Sequence, residues 1–204
     1  MLKKFGLLVL CGVSLFAMHD VELNINDKDL EFAAKLDMGQ FMDSVEPELV
    51  YIGAKMLHAD EKHSDLNDWE TTDLDDYYEV NFLMQRHIDD TGLSIGLGIK
   101  LNGTKKFASV PFGMEVGYKM PFVESMPMTL NANIYYAPDV LTMRDADNFF
   151  EYRISYDIEV IKNAIVTMGY RSLQTNYESV VKSPYFKKDI NYNASPYVGF
   201  KFSF

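Results

Sequence analysis

Apolar and polar residues alternate along most of this chain with a period of two. Between positions 93 and 101, leucine and isoleucine occupy the odd positions, whereas serine, glycine and lysine occupy the even ones. Successive side chains of a β-strand point to opposite faces, so the pattern predicts strands with one apolar and one polar face. The alternation recurs in ten segments: 21–25, 30–38, 50–56, 78–87, 93–101, 112–120, 128–136, 150–159, 164–171 and 194–204.

These segments predict an all-β fold, an antiparallel transmembrane β-barrel of about ten strands, with eight strands as the alternative if segment 21–25 and one other are not strands. Such barrels have short periplasmic turns and longer external loops. The expected periplasmic links are 39–47, 88–91, 121–126 and 160–163. The expected external links are 27–29, 58–76, 102–111, 137–148 and 176–193, and most of these are longer.

The first 17 residues predict a secretory signal peptide. Lys3 and Lys4 precede an apolar run from 5 to 16, and Ala17 is a small residue suited to the position before cleavage. The run is too short to span a bilayer as a helix. We therefore expect a signal peptide at 1–17 and a barrel domain at 18–204. The only cysteine, Cys11, lies in the apolar run, so cleavage would leave a chain without cysteine.

The last segment, 194–204, is expected to close the barrel. Val198, Phe200, Phe202 and Phe204 are apolar, and the residues between them are small or polar. A C-terminal strand ending in phenylalanine resembles the signal that delivers bacterial outer-membrane proteins to their insertion machinery. The prediction is therefore a protein of the Gram-negative outer membrane, with Phe204 as its assembly signal. Its expected partners are the insertion machinery, outer-membrane lipid and lipopolysaccharide.

Net charge and residue patterning limit the classes of function that this chain could have. The formal net charge of −11 argues against a nucleic-acid partner. The soluble alternative is a periplasmic lipocalin-like ligand-binding barrel, in which the apolar face turns inward. Alternation alone does not separate the two. The chain end, the tyrosines near strand ends and the glycine-rich polar face favour the membrane form.

The middle of the chain resembles the YfaZ family of outer-membrane proteins. The earlier segments 93–98 and 111–117 are similar as well. This resemblance implies a small outer-membrane β-barrel and brings no established substrate or reaction. The motifs that carry it are Tyr135-Tyr136-Ala137-Pro138, Val140-Leu141, Asp145-Ala146, Glu151-Tyr152-Arg153, Asp157-Ile158-Glu159, Asn163-Ala164 and Gly169-Tyr170-Arg171.

The polar face carries charges of both signs, nearly in balance. Unpaired buried charge is very costly, so these groups must be paired or hydrated inside a narrow barrel. The pattern predicts a surface protein with an ion-paired lumen, or alternatively a small, weakly selective pore. The candidate lumen residues are Glu31, Lys35, Asp37, Lys55, Glu79, Lys100, Glu115, Lys119, Glu151, Arg153, Asp157, Glu159, Arg171 and Lys201, and Glu22 shares their face.

No enzyme is predicted. An outer-membrane lipid hydrolase would need a serine, a histidine and an acid in reach of one another. His87 has Asp89 and Asp90 beside it, but no strand serine is placed against it and there is no G-x-S-x-G motif. The acidic loop 58–76 is expected to be a solvated surface; its alternative role is to bind a divalent cation. No cofactor is expected.

Overall fold

The computed structural model describes residues 19–27, 29–59, 75–88, 91–121, 126–144, 146–177 and 189–203. Two short 3-10 helices, Met38–Gln40 and Asp139–Leu141, lie within these ranges. The strands in the same ranges are β1 (His19–Ile25), β2 (Asp29–Asp37), β3 (Val50–Ala59), β4 (Tyr77–Ile88), β5 (Leu93–Gly103), β6 (Phe107–Ser109), β7 (Phe112–Met120), β8 (Met128–Ala137), β9 (Thr142–Arg144), β10 (Ala146–Ile161), β11 (Ala164–Tyr177) and β12 (Asp189–Ser203).

Ten of the described strands close into one antiparallel barrel. Each long strand pairs with its neighbours in chain order, and β1 pairs with β12 to complete the ring. The two short strands are not members of the ring. β6 pairs with β5 through two residue pairs, and β9 pairs with β6 through three. The predicted ten-stranded antiparallel barrel is confirmed, and the eight-stranded alternative is wrong.

The apolar face of every barrel strand points outward. On β5, Leu97 is 69% exposed and Leu101 is 57% exposed, whereas Lys100 between them is 4% exposed. This arrangement is the reverse of a lipocalin-like barrel, in which the apolar side chains fill the interior. Other outward apolar side chains with 38–59% exposure are Ile25, Phe32, Ile52, Val80, Phe82, Ile99, Phe112, Met114, Leu130, Ile134, Ile154, Met168, Val198, Phe200 and Phe202.

The two ends of the barrel differ. The near mouth is the end at which β1 begins and β12 ends; the far mouth is the opposite end. At the near mouth, β10 and β11 are joined by a tight turn at Lys162 and Asn163. Asn163 adopts a positive φ of 68°, which asparagine tolerates better than most residues. At the far mouth, β6 and β9 add a small sheet to the edge of β5.

Several predicted boundaries are corrected by the structure. The expected external links 102–111 and 137–148 contain the strands β6 and β9 and the first residues of β10. Asp29, expected in a turn, lies in β2, and Met38, expected in a strand, begins a 3-10 helix. These residues differ because cross-lumen contacts and capping, rather than alternation, decide the ends of strands. The expected signal peptide, Cys11, residues 60–74 of the acidic loop and Phe204 lie outside the described residues.

No helix in the described part of the chain is long and apolar enough to cross a membrane.

Candidate functional site: the barrel lumen

Two lysines and two glutamates form a closed set of salt bridges in the middle of the lumen. Lys55 Nζ lies 2.9 Å from Glu79 and 2.8 Å from Glu151. Lys100 Nζ lies 3.3 Å from Glu79 and 2.6 Å from Glu151. We call these four residues the quartet. Their exposure is between 1% and 8%, so each charge depends on the others rather than on water.

The quartet crosses the whole width of the barrel. Lys55 is on β3 and Glu151 is on β10, and these strands are separated by five pairings in either direction around the ring. Both side chains are on the lumen face, and the adjacent residues Ala54 and Tyr152 are on the outward face because successive side chains of a strand alternate. The salt bridges of Glu151 therefore join opposite walls of the barrel.

A second group of ion pairs fills the other half of the same layer. Glu31 of β2 is 0% exposed. Its carboxylate forms salt bridges with Arg153 of β10, at 2.5 Å, and with Arg171 of β11. Arg171 also donates to Asp29 Oδ1 at 2.6 Å. Glu22 lies 3.6 Å from Arg153, on the cavity side of the group. Two guanidinium groups are therefore neutralised by carboxylates from β1 and β2.

Neutral polar groups complete this layer. Asn24 donates to Glu31 at 2.8 Å, and Asn193 accepts from the Nε of Arg171 at 3.2 Å. Tyr135 of β8 donates to Glu115 of β7 at 2.6 Å, and its ring lies under Lys100 Nζ at 3.8 Å. Every one of the ten barrel strands therefore contributes a side chain to the layer or to its immediate contacts.

Aromatic side chains seal the lumen between this layer and the far mouth. The rings of Tyr77, Phe107 and Phe149 lie 5.8–6.5 Å apart, centroid to centroid, and are 0–1% exposed. The whole group, which we call the aromatic cap, comprises Leu57, Tyr77, Phe107, Ala137, Ala146, Phe149 and Leu173. These residues were missed from the sequence because most lie at or beyond the predicted strand ends.

A cavity of about 690 Å³ occupies the lumen between the layer and the near mouth. Its inner wall includes quartet members, and its outer part is lined by His87, Gly92 and Pro127 at the near mouth. Amide and hydroxyl side chains such as Asn81, Asn131 and Thr129 line the walls between. Among the described residues, the lumen therefore holds a polar vestibule toward the near mouth and packed, buried side chains toward the far mouth.

The remaining predicted lumen residues lie outside the two groups of ion pairs described above. Lys201 lies 2.6 Å from Asp157, and both line the vestibule, as do Glu115, Lys119 and Glu159. Lys35 also lines it, with its Nζ 4.3 Å from the ring centre of Tyr51. Asp37 differs: its carboxylate accepts the backbone N–H groups of Gly39 and Glu48 and so shapes the turn after β2.

The lumen is more crowded at two glycines than the alternation indicated. A Cβ at Gly98 would collide with the hydroxyl end of Tyr135. Tyr197 similarly covers Gly169, where a Cβ would lie 2.7 Å from the end of the ring. Two lumen-facing tyrosines thus pack over glycines on nearby strands, a device that fills the space left by the missing side chains.

Two histidines of the described residues contact carboxylates at the mouths of the barrel. No group of three or more histidine, cysteine, aspartate or glutamate side chains within the described ranges is placed to hold a metal ion. His58 Nδ1 lies 2.6 Å from Asp76 Oδ1 at the far mouth. His87 Nε2 lies 3.2 Å from Glu48 at the near mouth.

The solved structures that are similar to this chain include two of a KdgM porin. One is a KdgM porin, with 10% sequence identity and a TM-score of 0.43 over 91% of this chain and 98% of that chain. The other is a KdgM porin in complex with disordered oligogalacturonate, with 10% identity and a TM-score of 0.45 over the same shares. No protein-family model and no curated protein matches the chain. The resemblance to the YfaZ family therefore stays a prediction.

Proposed function

We propose that this chain is an integral β-barrel of the Gram-negative outer membrane whose lumen is closed by its own side chains. The observation that carries the proposal is the arrangement of the two faces. Large apolar side chains are exposed on all ten barrel strands, while the lumen holds ion-paired charges. In water such an exterior would be a large aggregation liability, whereas a bilayer covers it.

The proposed resting state does not conduct. Across the layer, salt bridges of 2.6–2.8 Å join Lys55 of β3 and Lys100 of β5 to Glu151 of β10, and Glu79 of β4 pairs with the same two lysines. The aromatic cap lies beyond them. A pore for hydrated solutes needs a continuous water-filled passage. We therefore propose a surface barrel with an ion-paired lumen, inserted by the barrel insertion machinery and surrounded by outer-membrane lipid and lipopolysaccharide.

A second candidate, a small weakly selective pore, is favoured by one observation: the vestibule of about 690 Å³. Both lysine and glutamate side chains line it, so neither sign of charge prevails on its walls. If the layer and the cap were displaced, the vestibule would form half of a conducting path with weak ion selectivity.

Planar-bilayer recordings of the purified barrel test the proposal. We expect no steady step currents from the parent, because the layer and the cap both block the lumen. The double variant Phe107→Ala/Glu151→Ala removes one ring of the cap and the carboxylate that joins β10 to β3 and β5, so it should show discrete openings. Ile154→Ala, on the outward face of β10, is the matched control and should stay silent. Steady currents from the parent would contradict the closed lumen.

Cell fractionation tests the membrane location separately. The protein is expected in the outer-membrane fraction and should require detergent for extraction. Recovery of the intact protein in the soluble periplasmic fraction would reject the membrane barrel, whatever the recordings show.

A further inference from the structure

The aromatic cap is built on a weakly attached part of the fold. One of its three rings, Phe107, belongs to β6, a strand of three residues that pairs with β5 at only two positions. By contrast, β5 pairs with its barrel neighbour β7 at seven positions. β6 is paired on its other side with β9, which is also three residues long. This pair of strands is therefore joined to the barrel by fewer residue pairs than any of the ten barrel strands, although Lys100 N–H donates to the Pro111 carbonyl at 2.8 Å beside it.

A continuous set of hydrogen bonds links β6 to the ion pairs. Ser109 of β6 donates to Asn102 Oδ1, and Asn102 Nδ2 donates to the hydroxyl of Tyr77 at 2.9 Å. Tyr77 then donates to Glu79 Oε2 at 2.7 Å. The same oxygen of Glu79 forms a salt bridge with Lys55 Nζ at 2.9 Å, and this salt bridge is part of the quartet.

Tyr77 belongs to both seals at once. Its ring packs with Phe107 and Phe149 in the cap, and its hydroxyl touches the quartet. Ser109 is 0% exposed, Asn102 is 3% exposed and Tyr77 is 1% exposed, so water does not offer replacement partners while the lumen is closed. Loss of one link leaves a buried polar group unsatisfied, which the neighbouring groups must relieve by moving.

We propose that the β6–β9 pair and the quartet form a single coupled gate. When β6 moves away from β5, Ser109 and Phe107 leave together, so Asn102 loses a hydrogen-bond donor and Tyr77 loses the packing that holds its hydroxyl on Glu79. Hydration of the quartet then joins the vestibule to the far mouth. In the opposite direction, neutralising a quartet carboxylate loosens the cap. The inference rests on the proposed closed membrane barrel and adds that the closure is reversible and cooperative.

Thiol labelling measures opening of the cap directly. Ala137 is 0% exposed and lies within the cap, so Ala137→Cys is a small change that a membrane-impermeant maleimide reaches only when the cap opens. The reporter is placed in a Cys11→Ser background of the full chain, reconstituted in lipid nanodiscs. Slow labelling is expected for this parent, and fast labelling would overturn the proposal.

The coupling is tested by changing the quartet and reading the cap. Glu79→Gln should raise the labelling rate of the Ala137→Cys reporter by about tenfold, within the usual range of coupling between sites. Glu159→Gln, a vestibule carboxylate of β10, is the control and should leave the rate unchanged. In a Tyr77→Phe background, which keeps the ring and removes the hydroxyl link, Glu79→Gln should have no additional effect.

A reciprocal experiment uses Ser109→Ala, which retains the small side chain and removes the first hydrogen bond. It should increase the frequency of openings in bilayer recordings, while Lys106→Ala, exposed on the same hairpin, should not. Each variant must first show the heat-modifiable electrophoretic mobility of a folded barrel. If folded Glu79→Gln or folded Ser109→Ala changes neither the labelling rate nor the frequency of openings, the coupled gate is rejected. Failure to insert into nanodiscs at all would instead reject the proposed membrane barrel.

Discussion

Leu97 offers the sharpest test of the outward face. It lies near the middle of β5, is 69% exposed and is flanked in register by Met84 and Met114 on the adjacent strands. In a bilayer, Leu97→Arg places a charge in hydrocarbon and should cost about 2–4 kcal/mol of folding free energy. Even about 2 kcal/mol lowers the folding equilibrium constant by roughly 30-fold.

The lumen control for this substitution is Gln85. It pairs in register with Gly96, next to Leu97 on β5, and its side chain lines the vestibule. Gln85→Arg keeps the charge in a polar, roomy environment, so its cost should be small. Gly98, which the alternation alone suggests as the control, is unsuitable because Tyr135 occupies the space of its missing side chain.

Equilibrium folding into lipid vesicles across a urea gradient, followed by the heat-modifiable mobility, measures these costs. The expected order of destabilisation is Gln85→Arg below Leu97→Arg, with Gly98→Arg also costly for steric reasons. If Leu97→Arg costs no more than Gln85→Arg, the outward face does not meet hydrocarbon and the membrane reasoning fails. In a water-soluble barrel, an arginine at such an exposed position would be neutral.

Two further substitutions test the packing of the lumen in the same folding assay. Glu31→Gln removes the carboxylate shared by Arg153 and Arg171 and should cost about 3–5 kcal/mol, because it leaves buried cations uncompensated; an equal effect of Glu159→Gln, whose side chain lines the vestibule, would contradict that cause. Gly113→Ala would press a Cβ against the Ile134 carbonyl and the Tyr135 ring and should cost about 1–3 kcal/mol, and no loss would show that the strands can shift apart there.

The alternation was sufficient to predict the strands and which residues share a face, and the glycine-rich polar face then favoured the assignment of that face to the lumen. It is a local property of the backbone: Lys55, Glu79 and Lys100 face inward because their neighbours at odd separation are apolar and face outward. The partners across the lumen could not be predicted in this way. Lys55 and Glu151 are 96 residues apart in the chain, and their contact depends on the accumulated register of all the strands between them.

The aromatic cap was missed for a different physical reason. Large apolar side chains were assigned to the lipid face, and the segment containing Phe107 was expected to be an external link, as were Ala137 and Ala146. Two members of the cap could have been found from the sequence, because they occupy odd positions like the lumen-facing residues before them. Leu57 continues the inward series of Gly53 and Lys55, and Leu173 continues that of Arg171. Extending each strand past its last alternating residue would have placed both inside the barrel.

The charged layer and the aromatic cap have different consequences for opening the lumen. A buried ion pair contributes little net stability, because the desolvation of its charges offsets most of their attraction. Water can therefore replace the contacts of Lys55 and Lys100 at modest cost, provided that all four quartet charges become hydrated together. Separating Phe107 from Tyr77 and Phe149 exposes apolar surface, which water does not compensate. The cap therefore controls whether water reaches the layer from the far mouth, and the layer sets how readily the lumen fills once the cap has moved.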